Sequence, residues 1–132
     1  MMTDRLVSLA AAVAFAQEVG EANCGVLVDT LHLARSHGLV DELRAVPPAL
    51  LPYLQLADAP VEPVMSWRDE ALHGRLLPGE GALPLVDVLR AVPGVPVSVE
   101  LRSRALMTGY VDPVERARVV LAATTRVLEA AG

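Results

Sequence analysis

Three short apolar runs in this chain each stop on a side chain that is costly to bury. "CGVLVDT", Cys24 to Thr30, ends with Asp29. "PYLQLADA", Pro52 to Ala59, carries Gln55 near its end and Asp58 three residues on. "VPVSVELRS" turns polar at Glu100, with Arg102 and Arg104 just beyond. Runs of this kind read as strands. Helical patterns separate them, and strand alternating with helix implies parallel strands joined by crossovers, an α/β architecture. The loops that follow parallel strands gather at the C-terminal edge of the sheet, where such folds bind ligands. A buried run has no local reason to finish on a carboxylate, so the three tips point to a site.

The remaining elements follow from local signals. "MMTDRLVSLAAAVAFAQ" imitates a secretory leader, with a basic residue, a short apolar stretch and Ala14-Phe15-Ala16. Asp4 weakens the positive leader. Leu6, Leu9, Val13 and Ala16 recur at helical spacing, which favours a helix opened by Thr3 or Asp4 and closed near Gly20. "HLARSHGLVDELRAVPPALL" predicts short helical turns interrupted by Pro47 and Pro48. The stretch 60–82 holds three prolines and three glycines and is expected to be a long loop. "LPLVDVLRAVPG" predicts a helix with Pro84 in its first turn and Gly94 past its end. Asp112-Pro113-Val114-Glu115 supplies a cap, Pro at N1 and Glu at N3 for a last helix reaching about Ala130.

Composition limits the rest. The chain has 132 residues, enough for one domain, taken as 1–132. Only four residues are aromatic, so the core must be built from Leu, Val and Ala. A net charge of −5 argues against a nucleic-acid surface, which would need clustered Lys and Arg. One cysteine, Cys24, precludes an internal disulfide and suits a reducing, cytoplasmic setting. No apolar run reaches the roughly 18 residues a membrane span requires.

If the three strand tips share a rim, two carboxylates, Asp29 and Glu100, converge with the amide oxygen of Gln55. Oxygen donors in that arrangement suit a hard divalent cation such as Mg²⁺ or Mn²⁺, with a His or water completing the shell. Each residue also has a plainer role open to it. Asp29 could cap the turn that follows it, His32 could make a structural hydrogen bond, and Gln55 could be a core amide. Arg75 and Glu80 could simply pair with each other on a loop, and Asp58 could order its own loop.

"GVLVDTLHLARS", "YLQLADAP", "GRLLPGEGALPL" and "VSVELRS" resemble, in that order, the C-terminal half of the sugar phosphate isomerase/epimerase proteins with a xylose-isomerase-like TIM barrel. The resemblance implies a partial (β/α)₈ barrel, about three parallel strands with their helices. It implies Asp29, Gln55 and Glu100 as ligands of a divalent metal (Mn, Mg, Co or Zn), with Gln55 where many members carry a His. It makes His32 a substrate-contacting imidazole and Arg75, in "R-x-x-P-G-E-G", a holder of a sugar or its phosphate. Arg102 joins Arg75 as a substrate-binding arginine. The expected chemistry is proton transfer next to a carbonyl through an enediolate, with Glu100 and His32 as catalytic groups.

One departure stands out. Family members share the metal with a further Glu from an earlier strand, which these residues do not supply. A complete barrel takes about 250 residues, so this chain is expected to span the helix before the sixth strand and strands six to eight. It would then be weak or inactive alone, and would seek a homo-oligomer, a separate N-terminal half, or be a truncated reading frame. Two other outcomes compete: a dehydratase of the same barrel superfamily, or a non-catalytic oligomerisation module. An abasic-site endonuclease would need more His ligands and a basic face than this chain offers.

Overall fold

A computed structural model describes residues 6–132 of the chain. Three short strands, β1 (Val28–Asp29), β2 (Leu54–Leu56) and β3 (Val97–Val99), form one parallel sheet in the order β1-β2-β3. The register pairs Val28 with Leu54 and Leu54 with Val97, and Asp29 with Gln55 and Gln55 with Ser98. The ladder continues past β3, where the Glu100 N–H donates to the Leu56 carbonyl at 3.2 Å. The parallel α/β architecture expected from the sequence is therefore present.

Side chains alternate along the strands, and the two faces differ sharply. Val26, Val28, Leu54 and Leu56 point to the helix-covered face and are buried. The largest core cluster there joins Val26, Val28 and Leu54 to Leu9, Leu33, Leu43, Leu51, Val88 and Val92 from the surrounding helices. Residues of opposite parity line the other face. Leu27 and Tyr53 are 44% and 38% exposed, Ser98 is exposed, and Gln55 is half-buried. Parallel sheets are ordinarily covered on both sides; among the described residues this one is covered on one.

Helices α1 (Leu9–Val19), α2 (Thr30–Arg35), α3 (Val40–Arg44), α5 (Leu85–Ala91) and α7 (Pro113–Ala131) make up the covering layer. Ser8 caps α1, with its Oγ accepting from the Ala11 N–H at 3.2 Å, and Gly20 closes it at φ +67°. The helix thus begins later than expected and excludes Leu6; Thr3 and Asp4 lie outside the described residues. Asp112 caps α7 as expected, its Oδ1 accepting from the Val114 N–H at 2.8 Å with Pro113 at N1. Arg90 of α5 fastens the other end of α7 by donating to the carbonyls of Ala130 and Ala131. Pro84 sits at the N-cap of α5 rather than inside its first turn. A 3₁₀ turn, Pro48–Leu50, replaces any longer helix at the double proline.

Two helices were not expected. α4 (Trp67–His73) occupies the stretch taken for a long loop, and α6 (Arg104–Gly109) follows β3. Both carry a serine cap: the Ser66 Oγ accepts from the Asp69 N–H at 3.1 Å, and the Ser103 Oγ from the Leu106 N–H at 3.3 Å. Ser66-x-x-Asp69 is a capping-box pattern, legible in the sequence beneath the proline and glycine signals around it. No described helix is long and apolar enough to cross a membrane.

Candidate functional site

The C-terminal tips of β1 and β3 meet on one guanidinium. Asp29 ends β1 and is buried; its Oδ1 accepts from the His32 N–H at 3.1 Å and so caps α2. Its Oδ2 accepts from the Arg75 Nη1 at 2.5 Å. Nη2 of Arg75 lies 3.6 Å from Oε2 of Glu100, and Nη1 also donates to the Glu100 carbonyl at 3.4 Å. Arg75 follows α4 and is 2% exposed; its Nε donates to the Ala71 carbonyl at 3.2 Å. Asp29 thus does both things open to it, capping a turn and facing a cation. Arg75 pairs across the rim with the strand tips, not with Glu80.

Gln55 sits beside Asp29 in the register and half-buried, and Ser98 continues that row. Glu100 lies two residues past Ser98, hence on the same side of the sheet; its side chain is 37% exposed. Asp29, Gln55 and Glu100 therefore share the open face near its C-terminal rim. His32 is half-buried next to them. Burial pushes its imidazole below the ordinary value of 6.5, Asp29 pulls it back up, and Arg75 adds to the depression. Arg102 contributes a carbonyl that accepts from the Arg75 N–H at 3.3 Å, while its side chain is exposed.

Two buried acids shape the rim without standing on it. Asp58 accepts three backbone N–H groups: Ala59 at 2.8 Å and Leu83 at 3.0 Å on Oδ1, and Gly79 at 2.9 Å on Oδ2. It orders the Pro78-Gly79-Glu80-Gly81 loop as well as its own. A Cβ on Gly81 would collide with the Asp58 carboxylate and the Ala59 backbone, which explains glycine there. Glu70 of α4 forms a two-bond pair with Arg35 of α2, both contacts at 2.7 Å. Arg35 also donates to the carbonyls of Pro60 and Val61 at 2.8 Å, pinning the segment that leads into α4. The Arg35–Glu70 pair has no local signal in the sequence, because its partners stand 35 residues apart.

As a metal set, the rim offers hard oxygen donors: two carboxylates and one amide. Among the described residues no three His, Cys, Asp or Glu side chains group as a metal site. The donor chemistry fits a divalent cation of the Mg²⁺ or Mn²⁺ type, with Gln55 as the third ligand and further positions open to water. Arg75 is the group such an ion would meet first.

No family model matches the sequence, and no curated protein matches it. Solved structures do match. The IolI protein, solved with a bound zinc atom, superposes with a TM-score of 0.77 at 21% identity, over 91% of this chain and 43% of its own. A xylose isomerase domain protein from Alicyclobacillus acidocaldarius subsp. acidocaldarius gives 0.69 at 28% identity, over 94% and 44%. A fusion of a xylose-isomerase-like TIM barrel with 4-hydroxyphenylpyruvate dioxygenase gives 0.65 at 22% identity, over 71% and 16%. The chain spans less than half the length of each.

Proposed function

We propose, from the fold the chain shares with part of a xylose-isomerase-like TIM barrel, that its rim is the metal-binding part of a sugar or sugar phosphate isomerase or epimerase site. One observation carries the proposal: the carboxylates of Asp29 and Glu100, from separate strand tips, both face the one guanidinium of Arg75, with Gln55 beside Asp29 in the register. The zinc atom of the IolI structure and the xylose isomerase domain of the Alicyclobacillus protein support the same assignment.

Asp29, Gln55 and Glu100 would hold the ion. When bound, it supplies Lewis-acid stabilisation of the negative charge that develops beside a substrate carbonyl. Glu100, the more exposed of the two carboxylates, takes a proton from the carbon next to that carbonyl and returns it to the neighbouring carbon or to the opposite face. Burial pushes the His32 pKa below its ordinary value and so favours the neutral imidazole, which can donate a hydrogen bond to a carbonyl or hydroxyl without carrying charge. Arg75, and more peripherally Arg102, anchor the oxygens at the substrate's far end. The open face and the free edges of β1 and β3 take the remaining strands of an eight-stranded barrel, which would bring further ligands to the ion.

Calorimetric titration with Mn²⁺ on the wild type, Asp29→Asn and Glu100→Gln is the test. The expected outcome is saturable binding that weakens at least tenfold in either variant. Equal isotherms for all three proteins would remove the metal site and the proposal with it.

A further inference from the structure

Arg75 stands where a cation held by Asp29 and Glu100 would have to stand. Its two terminal nitrogens face the two carboxylates, at 2.5 Å from Asp29 and 3.6 Å from Glu100. Both oxygens of Asp29 are already engaged, Oδ1 by the His32 N–H and Oδ2 by Arg75. A cation bridging Asp29 and Glu100 would meet the Arg75 guanidinium between them, because Nη1 and Nη2 face the two carboxylates it has to join. The His32 bond is part of the α2 cap, and breaking it would fray the helix. The Arg75 contact is the replaceable one.

We propose that Arg75 is a built-in competitor for the divalent ion, an internal cation that fills the rim and withdraws from Asp29 when the ion enters. The inference rests on the metal-site proposal above. Three features support it. A charge-assisted bond normally closes to about 2.7–2.9 Å, so the 3.6 Å approach to Glu100 leaves the guanidinium held mainly on its Asp29 side. Its Nε donates to the Ala71 carbonyl of α4, and α4 is itself clamped by Arg35 to Glu70, so the side chain keeps an anchor apart from the two carboxylates when its contact to Asp29 is given up. Finally, Asp29, Glu100 and Arg75 carry a summed charge of −1. Removing Arg75 makes it −2, a better match for a dication in a partly buried site.

The opposite role, a brace that orients Asp29 for the metal, makes the test decisive. Mn²⁺ affinity, read by electron paramagnetic resonance, separates the two. If Arg75 competes, Arg75→Gln binds roughly tenfold more tightly than the wild type, and Arg75→Lys stays near the wild type because it keeps the charge. Equal or weaker binding by a folded Arg75→Gln protein overturns the inference. Should that variant fail to fold, the wild type still decides. On titration with Zn²⁺, the side-chain ¹⁵N signals of Arg75 should move in step with occupancy, and the protection of its Nη hydrogens should fall. Signals that stay fixed at saturation overturn the inference as well. Absence of Mn²⁺ binding in the wild type, Arg75→Gln and Glu100→Gln alike would mark a different failure, that of the metal site itself.

Discussion

Two arginines, Arg35 paired with α4 and Arg75 just past its end, show how the same ion-pair chemistry serves different ends. Arg35 is closed: Glu70 accepts two parallel bonds at 2.7 Å, and two backbone carbonyls take the remaining reach of the guanidinium. Those bonds hold Arg35 protonated, with its pKa raised chiefly by the hydrogen bonds to Glu70. Arg75 is open: one short bond to Asp29, long approaches to Glu100, and a half-exposed carboxylate as its second partner. A satisfied pair fixes structure, whereas an unsatisfied one on an uncovered face leaves room for a ligand. The difference lies in completeness of bonding, since both guanidiniums are largely withdrawn from water.

The largest effect should fall on the closed pair. Arg35→Met leaves Glu70 charged, 1% exposed and unpartnered, and should cost about 3–5 kcal/mol of unfolding free energy. Urea unfolding measures it. A loss no greater than that of a surface substitution would break the contrast. Arg75→Gln should cost less than Arg35→Met in the same assay, because Asp29 keeps the His32 N–H, the glutamine amide is still a donor, and Glu100 is partly hydrated. A larger loss for Arg75 would reverse the assignment of roles.

A smaller effect should come through pH. The unfolded chain titrates His32 near 6.5, and the folded chain titrates it lower. The folded state therefore binds fewer protons in between, so His32's contribution to stability is present above about pH 6.5 and is lost as pH falls through the depressed value. An NMR titration of His32 should give a midpoint below 6.5, and His32→Asn should flatten the acid side of the stability curve. A midpoint above 6.5 would mean that Asp29, not burial, governs the imidazole. Smallest of all, Arg102→Ala should change stability by no more than about 0.5 kcal/mol, since its side chain is exposed.

Local patterns in the sequence were enough for most of this architecture. Apolar runs marked all three strands because their alternate residues pack against the covering helices, and Asp112-Pro113 marked α7 because capping is a local event. Asp29 and Glu100 stood out because a carboxylate ending a buried run is costly and therefore informative. α4 and α6 were hidden because proline and glycine nearby mimic a loop, while the serine caps that start these helices are single residues. The ion pairs were not legible. Nothing local says that Glu70 meets Arg35, or that Arg75 crosses 46 residues to Asp29, because both pairings exist only once the crossovers stack the loops.

The central claim is that Asp29 and Glu100 grip one divalent ion at the shared rim. Crystals of the protein grown with Mn²⁺ and measured at an anomalous wavelength test it most directly. The account predicts a single strong anomalous peak with an oxygen of Asp29 and an oxygen of Glu100 each within about 2.0–2.6 Å, and the Arg75 guanidinium turned away from Asp29. A map with no peak there, or with manganese held elsewhere while Arg75 keeps its bond to Asp29, would contradict it.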